Sequence, residues 1–170
     1  MNTKTSRELI NEVGEWAEKN FGHKKHPVLG MVEEIGELSH CLLKRIQGIR
    51  GFDNPEHFRA EFTDALADTG IYLMHHCFCN GATFQFQCND IIFNPDTYAV
   101  DHDEVISHIL QELARMLRDG NAQRVQMLAV LLTVLGNMEK VSFEDAVRAT
   151  WEKVQKRNWV ANPVDAPSHA

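Results

Sequence analysis

Val28-Leu29-Gly30-Met31-Val32-Glu33-Glu34-Ile35-Gly36-Glu37-Leu38 and, further on, Glu61-Phe62-Thr63-Asp64-Ala65-Leu66-Ala67-Asp68 decide how this chain is read. At about 100° per residue, Glu33, Glu34 and Glu37 fall within about a third of a helix circumference, and Glu61, Asp64 and Asp68 cluster in a similar arc. Six carboxylates can therefore face one another across two helices. The residues between and beside them are apolar: Val28, Leu29, Met31, Val32, Ile35, Leu38, Leu42 and Leu43 on the first helix, and Phe62, Leu66, Ile71, Tyr72 and Leu73 on the second. Burying so many like charges without counter-ions costs several kcal/mol each or forces protonation. A hard divalent cation resolves the conflict, because Mg²⁺ takes oxygen ligands and is commonly shared with substrate phosphates. An acidic run on a helix is ordinarily a solvated face. Here neither run carries a Lys or Arg at i+4, and Lys44 and Arg45 lie too far from Glu37 to act as helical partners.

Working outward, Ser6 to Asn20 reads as an amphipathic helix with Thr5 or Ser6 at its start and Leu9, Ile10, Val13, Trp16 and Ala17 at helical spacing. Pro27 suits the first turn of the acidic helix, which runs to about Ile46. A loop rich in turn formers extends from Gln47 to Pro55, and the second acidic helix spans about Glu56 to Cys79, ended by Asn80-Gly81. Residues 82–100 read equally as an irregular helix, a strand or a packed loop. Three more helical patterns run from about Asp103 to Arg118, Ala122 to Met138 and Ser142 to Asn158.

The expected fold is an all-α bundle of about six helices. It forms one domain over residues 1–160, with the acidic helices inside 27–80, supporting helices inside 101–159, and a loose tail over 161–170. The stretch from Val105 to Leu117 faintly echoes Val28 to Leu42, so two fused helical hairpins are an alternative organisation. The second half lacks the acids apart from Glu112.

The chain has 170 residues, a net charge of −7 and 44% hydrophobic residues, the profile of an ordinary globular protein with a proper core. The negative balance argues against nucleic acid as the main partner, since that affinity comes from clustered Lys and Arg. No apolar run is long enough to span a bilayer, so no membrane role is expected. Cys41, Cys77, Cys79 and Cys88 show neither a CxxC pair nor framework spacing, and no leader-like segment opens the sequence, which fits a reducing cytoplasm.

The stretch from His26 to Leu38, with Glu61-x-x-Asp64, resembles the EExxE and ExxD signature of the all-alpha nucleoside triphosphate pyrophosphohydrolases, the MazG and dimeric dUTPase superfamily. Trp151 to Trp159 is similar to the family's last basic helix. The likeness covers the first 80 residues well and the last helix moderately, whereas no motif carries residues 82–140. It implies Mg²⁺-dependent hydrolysis of a ribo- or deoxyribonucleoside triphosphate between the α and β phosphates, with Mn²⁺ as an alternative ion. Nucleotide-pool housekeeping and a homodimer or higher assembly go with it.

Carried over by motif, Glu34 and Glu37 are metal ligands, Glu33 is a ligand or the base that orients water, and Glu61 and Asp64 are the ligands of the next helix. The run Leu66-Ala67-Asp68-Thr69-Gly70-Ile71-Tyr72-Leu73 also resembles the stretch just after the family's ExxD, which makes Asp68 its aspartate and leaves Ala65 in the glutamate position. The choice among Glu61, Asp64 and Asp68 stays open. Lys153, Lys156, Arg157 and Asn158 lie on the last basic segment, and Lys153 and Arg157, four apart, share a helix face that can meet the leaving pyrophosphate. Cations in the last turn of a helix also simply complement its dipole. Trp16, Phe21 and His26 are candidates for the walls and polar contacts of a base pocket.

Two other classes compete. Glu37-Leu38-Ser39-His40 is an ExxH, the pattern of di-iron carboxylate bundles, but that fold needs a second ExxH, and His57, His75, His76 and His108 have no Glu three residues before them. The other is a non-catalytic helical module that binds nucleotides or partners.

Overall fold

Caps and breakers set the helix boundaries in the computed structural model, which describes residues 4–22, 26–86, 101–119 and 124–163. Thr5 and Glu8 form a reciprocal capping box: the Thr5 N–H donates to Glu8 Oε2 at 2.7 Å and the Glu8 N–H to Thr5 Oγ1 at 3.3 Å. They open α1, Ser6–Phe21. Pro27 sits in the first turn of α2, Pro27–Gln47, where its missing N–H leaves no helical bond unmade. Asn54 caps α3, Pro55–Asn80, by accepting the Glu56 N–H at 2.9 Å, and Gly81 ends it in the left-handed conformation at φ 63. α4 is His102–Asp119, α5 is Val125–Met138, and α6, Phe143–Val154, starts where Ser142 Oγ accepts the Asp145 N–H at 3.2 Å.

The described residues thus form the expected all-α bundle, with six helices and no strand among them. None of these helices is long and apolar enough to cross a membrane.

α3 is the axis of the bundle. It lies against α2 in the most extensive pairing of the fold and also packs on α1, α5 and α6. Phe58, Phe62, Leu66, Leu73, Met74 and Cys77 are buried around its circumference, the signature of a helix enclosed on most sides. The strip carrying Glu61, Asp64 and Asp68 escapes this enclosure. The α4–α5 hairpin stacks on the α2–α3 hairpin, α4 against α2 and α5 against α3, and one hydrophobic cluster draws residues from all six helices. Trp151 of α6 locks onto α1 through an edge-on contact with Trp16 and an indole N–H donated to Glu12 Oε2 at 3.2 Å.

Two differences from the sequence reading matter. The last helix ends at Val154 instead of near Asn158, because the chain turns and is caught by α1: Trp16 donates its indole N–H to the Arg157 carbonyl at 3.1 Å. In the suggested second hairpin unit, Glu112 does not stand in for the acids of α2. It is buried and held by Arg115 at 2.6 Å and Arg124 at 2.8 Å. Residues 82–86 are non-helical, with Phe84 and Phe86 in the core, while 87–100 and 164–170, the remainder of the ambiguous segment and of the tail, lie outside the described residues.

Candidate functional site

The antiparallel register of α2 on α3 decides which acids meet. A Cβ built on Gly30 would fall 2.4 Å from the Tyr72 ring, so the missing side chain lets Tyr72 lie across α2. One turn further along α2, Glu34 sits among the charges of Asp68, Glu37, Glu33 and Asp64. Further still, the Cys41 thiol feels Glu61 and Glu37. The six acids therefore form a ladder along the seam. Glu34, Glu37, Asp64 and Asp68, with Glu33 beside them, occupy its middle, and Glu61 sits at the Cys41 end.

Burial sorts them as well. Glu34 and Asp68 are half-buried, whereas Glu33, Glu37, Glu61 and Asp64 are exposed. Desolvation first, and then the neighbouring acids led by Asp68, push the Glu34 carboxyl up to about 8. Asp68 is pushed up to about 6 by burial and Asp64, while Arg157 and Lys153 pull it down. Tyr72 is raised for the same reasons, burial first and then Glu34, Glu33 and Asp68. Among the described residues, none of the six acids has a cation within ion-pair distance or a side-chain hydrogen bond. The cations that act on them, Arg157 and Lys153 on Asp68, do so at longer range.

An aromatic cavity of about 330 Å³ opens beside this cluster. α1 supplies Val13, Trp16, Ala17 and Phe21 to its lining, and α3 supplies Asp68, Ile71, Tyr72 and His75. Glu34, Val154, Arg157 and Trp159 complete it. Trp16 stands edge-on to Phe21 at 5.5 Å, and the Arg157 guanidinium lies 5.9 Å from the Trp159 ring centre. Flat apolar walls, two half-buried carboxylates and one guanidinium thus share one hollow, of the size and composition that small-molecule sites have. On the other side of the acids an open groove of about 540 Å³ runs between α3 and α6, lined by Glu61, Thr63, Asp64, Thr150 and Lys153 among others.

Of the residues singled out in the sequence, the structure brings together Trp16, Phe21, Glu33, Glu34, Glu37, Asp64, Asp68 and Arg157. Lys153 is on the groove, within electrostatic reach of Asp68, but it does not share a helix with Arg157. His26 precedes α2 and lines a different hollow, with His76 and Cys79. Asn158 is exposed and its side chain accepts the Ala161 N–H at 3.0 Å. His40, the histidine of the ExxH, packs its ring edge-on against Phe52.

Tyr72 and His75 were missed as site residues, although they stand four and seven positions after Asp68 and so share its helix face. Trp159 had no such signal, because a turn and not a helix delivers it.

Among the described residues, no group of three or more His, Cys, Asp or Glu side chains is arranged to hold a metal ion as it stands. The donor chemistry nonetheless suits one: oxygen-only, rich in carboxyl groups, without an ion-pair partner among the described residues and partly desolvated, the set a hard divalent cation prefers. Compared with known proteins, the chain matches no family model, no curated protein and no solved structure.

Proposed function

We propose that this protein is a Mg²⁺-dependent nucleoside triphosphate pyrophosphohydrolase, cutting between the α and β phosphates to release a nucleoside monophosphate and pyrophosphate. The observation that carries the proposal is the juxtaposition of clustered acids on α2 and α3 with an aromatic cavity that shares Glu34 and Asp68 with them. An anionic, planar-headed ligand needs both: apolar plates for its ring and a cation-loaded surface for its phosphates.

Glu34, Glu37, Asp64 and Asp68 would hold the Mg²⁺, or Mn²⁺, with Glu33 as a further ligand or as the base that orients water. When bound, such ions neutralise polyphosphate charge and acidify a coordinated water. The chain's own residues do the remaining work. Trp16, Phe21, Tyr72 and Trp159 enclose the base and exclude water, while Arg157 and Lys153 meet negative charge on the phosphates and on the leaving pyrophosphate.

Nucleotide-pool housekeeping in a reducing cytoplasm is consistent with the buried thiols of Cys41 and Cys77. An outward apolar stripe on α2, Leu29, Val32, Leu43 and Ile46, supports self-association to a homodimer or larger assembly, to be measured by sedimentation.

The test is a panel of ribo- and deoxyribonucleoside triphosphates with Mg²⁺ or Mn²⁺, scored for pyrophosphate and monophosphate. Glu34→Gln and Asp68→Asn should each abolish release. Unchanged turnover in either variant, or no turnover of any nucleotide by the wild type, refutes the assignment.

A further inference from the structure

Two walls of the aromatic cavity, Arg157 and Trp159, come from a short non-helical segment beyond α6. The segment turns off the end of α6 through the Gln155 N–H to the Trp151 carbonyl at 3.0 Å, the Lys156 N–H to the Lys153 carbonyl at 3.2 Å and the Arg157 N–H to the Val154 carbonyl at 2.9 Å. These bonds tie its start to α6 and none reaches α1. Two further hydrogen bonds hold it against α1. One is the Trp16 indole N–H to the Arg157 carbonyl. The other is the Trp159 backbone N–H to Asn20 Oδ1 at 2.7 Å, part-buried.

Asn20 is well built for this task. Its Nδ2 donates back to the Trp16 carbonyl at 2.9 Å, so the amide is held at both ends: the helix takes its donor and the segment takes its acceptor. Since a backbone N–H can only donate, the amide orientation is fixed by chemistry. The same residue therefore clamps the Trp16 end of α1, one wall of the cavity, to the segment that carries the facing cation and indole.

We propose that Asn20 is a positioning residue for substrate: by holding the 155–159 segment against α1 it sets where the Arg157 guanidinium and the Trp159 indole stand in the cavity. Asn20 is not among the residues lining the cavity. Its influence on a ligand passes through Arg157 and Trp159. The kinetic part of the proposal rests on the pyrophosphohydrolase activity proposed above; the structural part does not.

Two measurements on the full chain test it. Asn20→Leu keeps the side-chain size and removes both hydrogen bonds, and Asn20→Asp keeps the acceptor for the Trp159 N–H. Limited trypsin digestion, following the peptide released by cleavage after Arg157, reads attachment of the segment. Cleavage should be about tenfold faster in Asn20→Leu and within about threefold of wild type in Asn20→Asp.

With the best substrate of the nucleotide panel, Asn20→Leu should raise KM about tenfold while kcat stays within about twofold, and Asn20→Asp should recover most of the loss. On an Arg157→Ala/Trp159→Ala background the Asn20→Leu effect on KM should shrink to less than about twofold, because there is nothing left to position. Equal trypsin rates, an unchanged KM, or a full additional effect on the double-alanine background each overturn the proposal. If the wild type hydrolyses no nucleotide, the activity is refuted, and the trypsin comparison alone decides the role of Asn20. Should Asn20→Leu fail to fold, Asn20→Ala carries the same comparisons.

Discussion

Glu34→Gln should make the metal-free protein more stable at about pH 8.5, although it removes a residue central to the candidate site. Burial first, and then the charges of Asp68, Glu37, Glu33 and Asp64, hold this carboxyl at about 8 against 4.5 for a free glutamate. Between those values the folded chain keeps a proton that the unfolded chain has released. The Glu34 contribution is therefore fully favourable below pH 4.5 and is lost as pH rises through about 8. Taken at face value the gap corresponds to about 5 kcal/mol. Glu34 is only half-buried, and solvent screening reduces the expected penalty to about 2 kcal/mol. For a chain of this length that is about 4–8 °C in melting temperature. The assay is differential scanning calorimetry of wild type and Glu34→Gln in EDTA. The two should melt within about 2 °C of each other at pH 5, and the variant should melt about 4–8 °C higher at pH 8.5. Added Mg²⁺ should raise the wild type and shrink that gap, because an amide is a poorer ligand for a hard cation than a carboxylate. A variant that melts lower than wild type at pH 8.5 in EDTA would show Glu34 to be stabilising, and the electrostatic picture of the seam would be wrong.

Mg²⁺ affinity measured by calorimetry should climb from pH 6 to 8.5, since an ion on Glu34 must displace its proton; a flat profile would remove Glu34 from the ligand set. Gly30→Ala drives a methyl group into the Tyr72 ring, with a Cβ 2.4 Å from it, and thermal melts should register a loss of about 1–3 kcal/mol in spite of alanine's better helix propensity. Arg157→Ala removes a charge that lowers the Asp68 pKa and lines the cavity; steady-state kinetics should show KM up by about tenfold, and the acidic limb of the pH–rate profile should move upward.

The helices that carry the acids were legible because each is punctuated by residues that act locally: Pro27 at the start of α2, and Asn54-Pro55 and Gly81 at the two ends of α3. The facing of α2 and α3 was legible too, since each acidic arc sits inside an apolar helix. Which rung meets which was not, because register depends on contacts between helices, such as Gly30 with Tyr72, that no single-helix pattern contains. The sequence left Glu61, Asp64 and Asp68 equivalent. In the folded chain Asp68 enters the aromatic cavity beside Glu34, and Glu61 stands by Cys41 instead. The basic end failed for a related reason. Helical spacing placed Lys153 and Arg157 on one face, but the helix stops at Val154 where the side chains of Trp16 and Asn20 capture the backbone beyond it.

That early stop gives the acids two flanks. Had α6 continued to Asn158, Arg157 would have sat one turn above Lys153, and both would have faced the groove between α3 and α6. The turn instead sends Arg157 to the aromatic cavity and leaves Lys153 on the groove, with Asp64 and Asp68 between them. On the proposed activity, a nucleotide with its base in the cavity directs its phosphates across the acidic seam toward Lys153. Arg157 then meets the end near the base, and Lys153 meets the pyrophosphate. Lys153→Ala should accordingly lower kcat, and Arg157→Ala should chiefly raise KM. If both variants instead raise KM equally, the two cations serve one end of the substrate, and the division of the site into two flanks is wrong.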